Sequence, residues 1–92
     1  SRRLDAMARY LSLHVLGCLP KPALAVLCQN LFASTGATVR RILAGQIAEK
    51  LLVEFDAPDA EAAAAWLRER KLTPQWVMRV DYESDDGTVR DV

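Results

Sequence analysis

The sequence predicts an α+β sandwich: a four-stranded antiparallel sheet with two helices on one face, in the order β-α-β-β-α-β. Three observations lead there. Apolar residues alternate over 11–15 and again over 51–55, the period of half-buried strands. They recur instead at Leu24, Leu27, Cys28, Leu31 and Phe32, the stripe of an amphipathic helix. Breaks fall between these runs at Gly17, Pro22, Gly36, Pro58 and Pro74.

Residues 1–8 hold charged and small side chains and read as a linker or a helical lead-in. The first strand starts at Tyr10, with Leu11, Leu13 and Val15 pointing one way and Tyr10, Ser12 and His14 the other. Gly17 and Leu19-Pro20-Lys21-Pro22 turn the chain, and Pro22 suits a first helical turn, where a missing N–H costs nothing. Ser34-Thr35-Gly36 stops the helix, with Gly36 expected as a left-handed cap.

Residues 38–44 read as the second strand, although Val39 and Ile42 stand three apart around Arg40 and Arg41. A bulge or an exposed edge explains that spacing. A hairpin is expected over 45–50, returning into a strand in which Leu51, Val53 and Phe55 alternate with Leu52, Glu54 and Asp56. Asp59 is placed to cap the second helix and Glu61 to meet its positive end. Trp66 and Leu67 give that helix its buried bulk, Arg68, Arg70 and Lys71 its C-terminal end, and Thr73-Pro74 its stop.

The last strand covers 75–82, with Trp76, Met78, Val80 and Tyr82 on one face and Val77, Arg79 and Asp81 on the other. Asp86-Gly87 signals a tight turn, so 83–92 is either a short hairpin arm folding back at Thr88 and Val89 or an acidic tail. Right-handed crossovers then put both helices on one side of the sheet, the ferredoxin-like arrangement. The whole chain is one domain with its core at about 9–82.

Composition narrows the function classes. Apolar residues make up 51% and charged residues 26%, usual for a globular domain. Twelve basic side chains balance twelve acidic ones, so no net field draws the chain to nucleic acid or anionic lipid. Cys18 and Cys28 are too few for a disulfide framework and lack metal-binding spacing, which points to a reduced, cytoplasmic setting with no metal or cofactor. No apolar run approaches the ~20 residues of a membrane span. A signal-peptide reading of the start fails because His14 breaks the apolar run and no small-x-small cleavage site follows. The opening Ser-Arg-Arg-Leu-Asp is the start expected of a domain from a longer protein.

Catalytic signals are sparse. His14, opposite the leucines of its strand, reads as a sheet-surface residue. There is no phosphate loop, metal cluster or nucleophile elbow, and capping explains the spacing of Asp56 and Asp59. Cys28 reads as a small core residue and Cys18 as a loop thiol. RNA-recognition domains share the element order, but they stack bases on rings in the third strand. The matching octamer Ala48-Glu49-Lys50-Leu51-Leu52-Val53-Glu54-Phe55 puts Lys50 and Leu52 at those positions. An acylphosphatase-type reading would need an arginine after the first strand, and residues 16–23 contain none.

Pro22, then Gly36, Val39 and Ile42, resembles the core spacing of ACT domains, the small-molecule regulatory modules of amino-acid metabolism. The similarity covers about residues 9–82. Amino-acid-binding members typically carry Asp-x-Pro-Gly at the strand-to-helix turn; here the turn is Leu19-Pro20-Lys21-Pro22-Ala23. Ile42-Leu43-Ala44-Gly45-Gln46-Ile47 with Leu51-Leu52-Val53-Glu54 is similar to the NIL domain of methionine-import ATPases. The layout, with Arg2-Arg3 at its start, also resembles the C-terminal domain of MgtC-type membrane proteins.

These resemblances imply a non-catalytic regulatory domain that couples an amino-acid effector, or subunit association, to a larger protein. Gly17, Cys18, Leu19, Pro22 and Ala23 would line the ligand, facing Ala37, Thr38 and Val39 at the start of strand two. The alternative they imply is an interaction or oligomerisation module without a small ligand. It would be a homodimer, or a domain contacting its parent protein, through the Arg40 and Arg41 edge or through Leu52 and Val77 on the open sheet face.

Overall fold

The computed structural model describes residues 7–92; the lead-in expected over 1–8 lies mostly outside them, as does the Arg2-Arg3 junction. The chain runs β1 (Ala8–Val15), α1 (Lys21–Ala33), β2 (Thr38–Gly45), β3 (Lys50–Ala57), α2 (Ala60–Glu69), β4 (Trp76–Val80), β5 (Tyr82–Glu83) and β6 (Arg90–Asp91). The first four strands form one antiparallel sheet in the order β2-β3-β1-β4, and β5 pairs only with β6. This is an α+β fold, compatible with a ferredoxin-like arrangement.

The helices cover one face of the sheet. Tyr10 of β1, Val39 of β2 and Leu51, Val53, Phe55 and Ala57 of β3 form a single core with Leu31 of α1 and Ala63, Trp66 and Leu67 of α2. Phe55 stacks 4.8 Å from Trp66 and 5.9 Å from Tyr10, ring centre to ring centre. The Trp66 Nε1–H donates to Ser34 Oγ at 3.2 Å, and the Arg70 guanidinium sits 5.1 Å above the Trp66 ring. One indole thus ties α2 to the end of α1, a cation–π contact adding to its apolar burial.

Local chemistry sets the element ends largely as expected. Asp59 caps α2, its Oδ1 accepting the Ala62 N–H at 2.8 Å. Pro22 sits in the first turn of α1. That helix ends differently from the expectation. Ser34 is its cap, in extended conformation, while Gly36 takes its positive φ of 95° in the turn beyond. The Ser34 hydroxyl and N–H both reach back to the Leu31 carbonyl, so no left-handed residue is required at the cap itself. Phe32, on the expected stripe, is more than half exposed, because α1 meets the core mainly through Leu31.

The expected bulge lies between Val39 and Arg41. Two further expectations fail on β1 and β4. His14 is no surface residue: the helices lie over Tyr10, Ser12 and His14, leaving Val15 exposed and Leu11 and Leu13 half-buried on the other face. The last strand leaves the sheet at Val80 instead of continuing to Tyr82. Its partner β1 pairs with it only as far as Arg9, so Tyr82 and Glu83 find their hydrogen bonds with β6. The segment 83–92 is therefore a hairpin arm rather than a frayed tail, turned at Gly87.

Candidate functional site

The residues expected to line a ligand do not converge. β1 climbs to Gly17, and α1 then descends thirteen residues, about 20 Å at the helical rise, before β2 begins. Ala37, Thr38 and Val39 therefore sit at the end of the sheet remote from the Gly17 turn, with Thr38 opposite Asp56. What faces that turn is the β2–β3 hairpin. The Leu16 N–H donates to the Glu49 carbonyl at 3.1 Å, and Gln46 Nε2 donates to the Leu19 carbonyl at 3.3 Å.

A crevice of about 270 Å³ opens between the two loops. Leu16, Leu19, Leu24 and Leu51 give it apolar walls, and Lys21, Glu49 and Lys50 bring charge to it. Gly17 and Leu19 line it; Cys18, Pro22 and Ala23 do not, and Cys18 and Pro22 are exposed. The first backbone bond of α1 runs from Leu24 N–H to the Pro20 carbonyl, so the Lys21 and Ala23 amides precede the helical ladder. Sequence pattern missed the hairpin half of this crevice, because nothing in residues 44–50 but a turn signal marks it.

The second feature is the sheet face that no helix covers. Leu11, Leu43, Leu52, Met78 and Val80 floor a groove of about 830 Å³ beneath the β5–β6 hairpin. Across it runs a balanced ion network. Arg9, with only 10% of its side chain exposed, reaches Glu54 at 3.3 Å and Glu83 at 2.8 Å, and its Nε lies 3.7 Å from Asp56. Arg40 pairs with Asp56 at 2.8 Å and Arg41 with Glu54 at 2.9 Å. The carboxylate of Asp56 accordingly holds the Arg40 guanidinium above its ordinary pKa.

Of the expected contact residues, Arg40 and Arg41 do stand on an edge strand, and Leu52 is on the open face. Val77 is not. It pairs with Ser12, whose side chain is on the helix-covered face, and alternation puts Val77 on the same side. The residues that share the open face with Leu52 at the β4 edge are Trp76 and Met78, opposite Leu13 and Leu11.

Beneath the helices, His14 Nε2 lies 2.8 Å from Ser12 Oγ and His14 Nδ1 lies 3.2 Å from the Thr73 carbonyl. The carbonyl can only accept, so Nδ1 carries the proton and Nε2 accepts from the Ser12 hydroxyl. That hydroxyl has one proton, which leaves its 3.5 Å approach to the Val53 carbonyl without one. Burial lowers the His14 pKa, against the opposing pull of the Thr73 carbonyl, and keeps the ring neutral. A serine donating to a neutral imidazole is the pairing used by nucleophilic hydrolases. Here both side chains are fully buried and neither crevice reaches them, so the pair satisfies a core instead of meeting a substrate.

Among the described residues no cluster of His, Cys, Asp and Glu is arranged to hold a metal, and no helix is long and apolar enough to cross a membrane. No family model, curated protein or solved structure matches the chain.

Proposed function

We propose that the chain is a non-catalytic regulatory domain of ferredoxin-like βαββαβ, ACT-type architecture that senses a small amino-acid-like effector in the cytoplasm. The observation that carries this reading is the crevice between the Gly17 turn and the β2–β3 hairpin. Its 270 Å³ is just under the usual range for drug-sized ligands and suits a molecule of amino-acid size. The Lys21 and Lys50 ammonium groups, with the positive end of α1, favour a carboxylate; Glu49 favours an ammonium; Leu16, Leu24 and Leu51 favour an aliphatic side chain.

Binding there would fasten the β1–α1 turn to the β2–β3 hairpin, two segments joined among the described residues by the Leu16–Glu49 and Gln46–Leu19 hydrogen bonds. That is a mechanism for coupling ligand to the geometry of a larger protein. Titration calorimetry with the natural amino acids, aliphatic members first, tests it: heat is expected from leucine, isoleucine, valine or methionine. Absence of heat from every member at millimolar concentration overturns it.

A second reading, association without a small ligand, is favoured by a different observation. Leu43, Trp76 and Met78 are each over two-fifths exposed on the open sheet face, contiguous with Leu11, Leu13 and Leu52.

A further inference from the structure

The uncovered sheet face is unusual in how its charges are distributed. The segment 81–92 carries five acidic side chains (Asp81, Glu83, Asp85, Asp86 and Asp91) and one basic one (Arg90), a net charge of −4. The whole chain sums to zero, so the remaining residues carry +4. Apart from Arg90 on the hairpin itself and the largely buried Arg9, the cations that line the groove are Arg40 and Arg41, on the opposite edge strand β2. The groove separates the two groups. Arg40 and Arg41 pair with Asp56 and Glu54, whereas Asp85 and Asp86 pair with Arg90; Arg9 bridges the two sides through Glu83, and among the described residues no ion pair joins Asp85 or Asp86 directly to Arg40 or Arg41.

We propose that this face is the interface of a symmetric homodimer, in which the acidic hairpin of each copy lies over the Arg40 and Arg41 edge of the other. The inference deepens the association reading given above and is independent of the crevice. Two sheets meeting face to face are related by a two-fold axis lying between them. An axis parallel to the strands keeps the ends of the sheet in place and exchanges its sides. It therefore sets β2 of one copy beneath the β4 side of the other. The hairpin leaves β4 beyond Val80, which pairs with Arg9, and Arg40 and Arg41 occupy the same end of β2, next to Thr38 opposite Asp56. Arg9 itself is opposite Asp56 on β3. Hairpin and arginines thus coincide across the axis. An axis perpendicular to the strands would instead set β2 over β2 with its ends exchanged, leaving each hairpin at the Trp76 end of the partner's β4 and away from its arginines.

The occupant is a second copy because the surface is self-complementary. The apolar floor of Leu11, Leu43, Leu52 and Met78 meets its own image, and the acidic and basic margins exchange. Zero net charge removes long-range repulsion between copies. Three strands of eight residues and one of five, at about 4.8 Å spacing and about 3.3 Å per residue, offer about 450 Å² a side. The overlapping hairpins extend that toward the ~800 Å² of a standard interface. Dimerisation in the micromolar range is expected, weakening with salt.

Sedimentation equilibrium on the full chain tests the arrangement through a pair of charge-reversed proteins. In Asp85→Lys/Asp86→Lys the hairpin repels the partner's arginines; in Arg40→Glu/Arg41→Glu the edge repels the partner's hairpin. Each alone is expected to dimerise at least tenfold more weakly than the original chain. Mixed one to one, they are expected to form a heterodimer, since both contacts then join opposite charges. Asp85 and Asp86 lie on an exposed turn, and circular dichroism reports whether each variant keeps its fold. Should the double arginine variant unfold beside Asp56 and Glu54, Arg41→Glu alone serves, because Arg41 is 68% exposed. An original chain that stays monomeric at millimolar concentration overturns the proposal. So do reversed variants that dimerise like the original and gain nothing on mixing. If in that case Leu52→Asp still dissociates the dimer, association through the face stands and this arrangement of it falls.

Discussion

His14 Nε2 lies 2.8 Å from Ser12 Oγ, two residues away on the same strand and fully buried beneath both helices. Leaving either group unpaired there would cost about 1–3 kcal/mol. Both are paired, and the pairing requires a neutral ring. The folded-state pKa of His14 is lowered below 6.5, so the unfolded chain binds the proton more readily. Stability from this group is therefore complete above about pH 6.5 and declines as pH falls toward the folded value. Urea midpoints measured at pH 7.5 and pH 5.5 should fall toward the acid side in the original chain. In His14→Gln this part of the slope should vanish.

Gly36 sits at φ 95°, and a Cβ built there would stand 3.4 Å from Trp66 Cδ1. The left-handed conformation costs a side chain about 1–2 kcal/mol, and the indole, held by Ser34 and Arg70, has little freedom to yield. Gly36→Ala should lose about 2 kcal/mol in chemical denaturation. A loss under 0.5 kcal/mol would show that the turn relaxes freely.

Ala44 lines the crevice yet is exposed and packs little. Ala44→Phe should fill the crevice and abolish any amino-acid heat while leaving the unfolding free energy within about 0.5 kcal/mol. Retained binding with an unchanged constant would move the ligand elsewhere.

Arg9 links the hairpin to the sheet through Glu83 and also neutralises Glu54 and Asp56 beside it. Arg9→Met keeps the stem and removes the charge. Because Arg40 and Arg41 still serve those two carboxylates, the cost should be about 1–3 kcal/mol and not more. Amides of residues 82–91 should lose exchange protection before those of β3. Equal loss across both would show that the hairpin does not depend on this tether.

Much of this architecture could be read from residue periodicity. Leu51, Val53 and Phe55 alternate against polar neighbours, and Asp59 followed by alanines admits little besides a capped helix. The faces of β1 could not be read so, because the side that alternation marks as polar is the one the helices cover. Tyr10, Ser12 and His14 look more polar than Leu11 and Leu13, yet they are the covered set: Tyr10 packs on Phe55, and Ser12 and His14 are hydrogen-bonded to each other. The crevice failed for another reason. It joins two loops distant in sequence, and topology, not pattern, decides which loop meets the Gly17 turn. The Arg9 network likewise depends on two strands of the sheet and the hairpin meeting at one residue.

The irregularity in β2 has an effect on what that strand can lose. Val39 stands opposite Phe55 and Arg41 opposite Glu54, neighbours on β3, so one arginine is surplus to the ladder. Excising it would join Val39 directly to the next ladder position and leave Ile42 toward the helices and Leu43 away from them. Removing Ile42 instead would put the following half of the strand out of phase and turn Leu43 inward. A shortened β2 is thus compatible with the same protein at a single place, and the spare side chain there is free to vary without disturbing the interior.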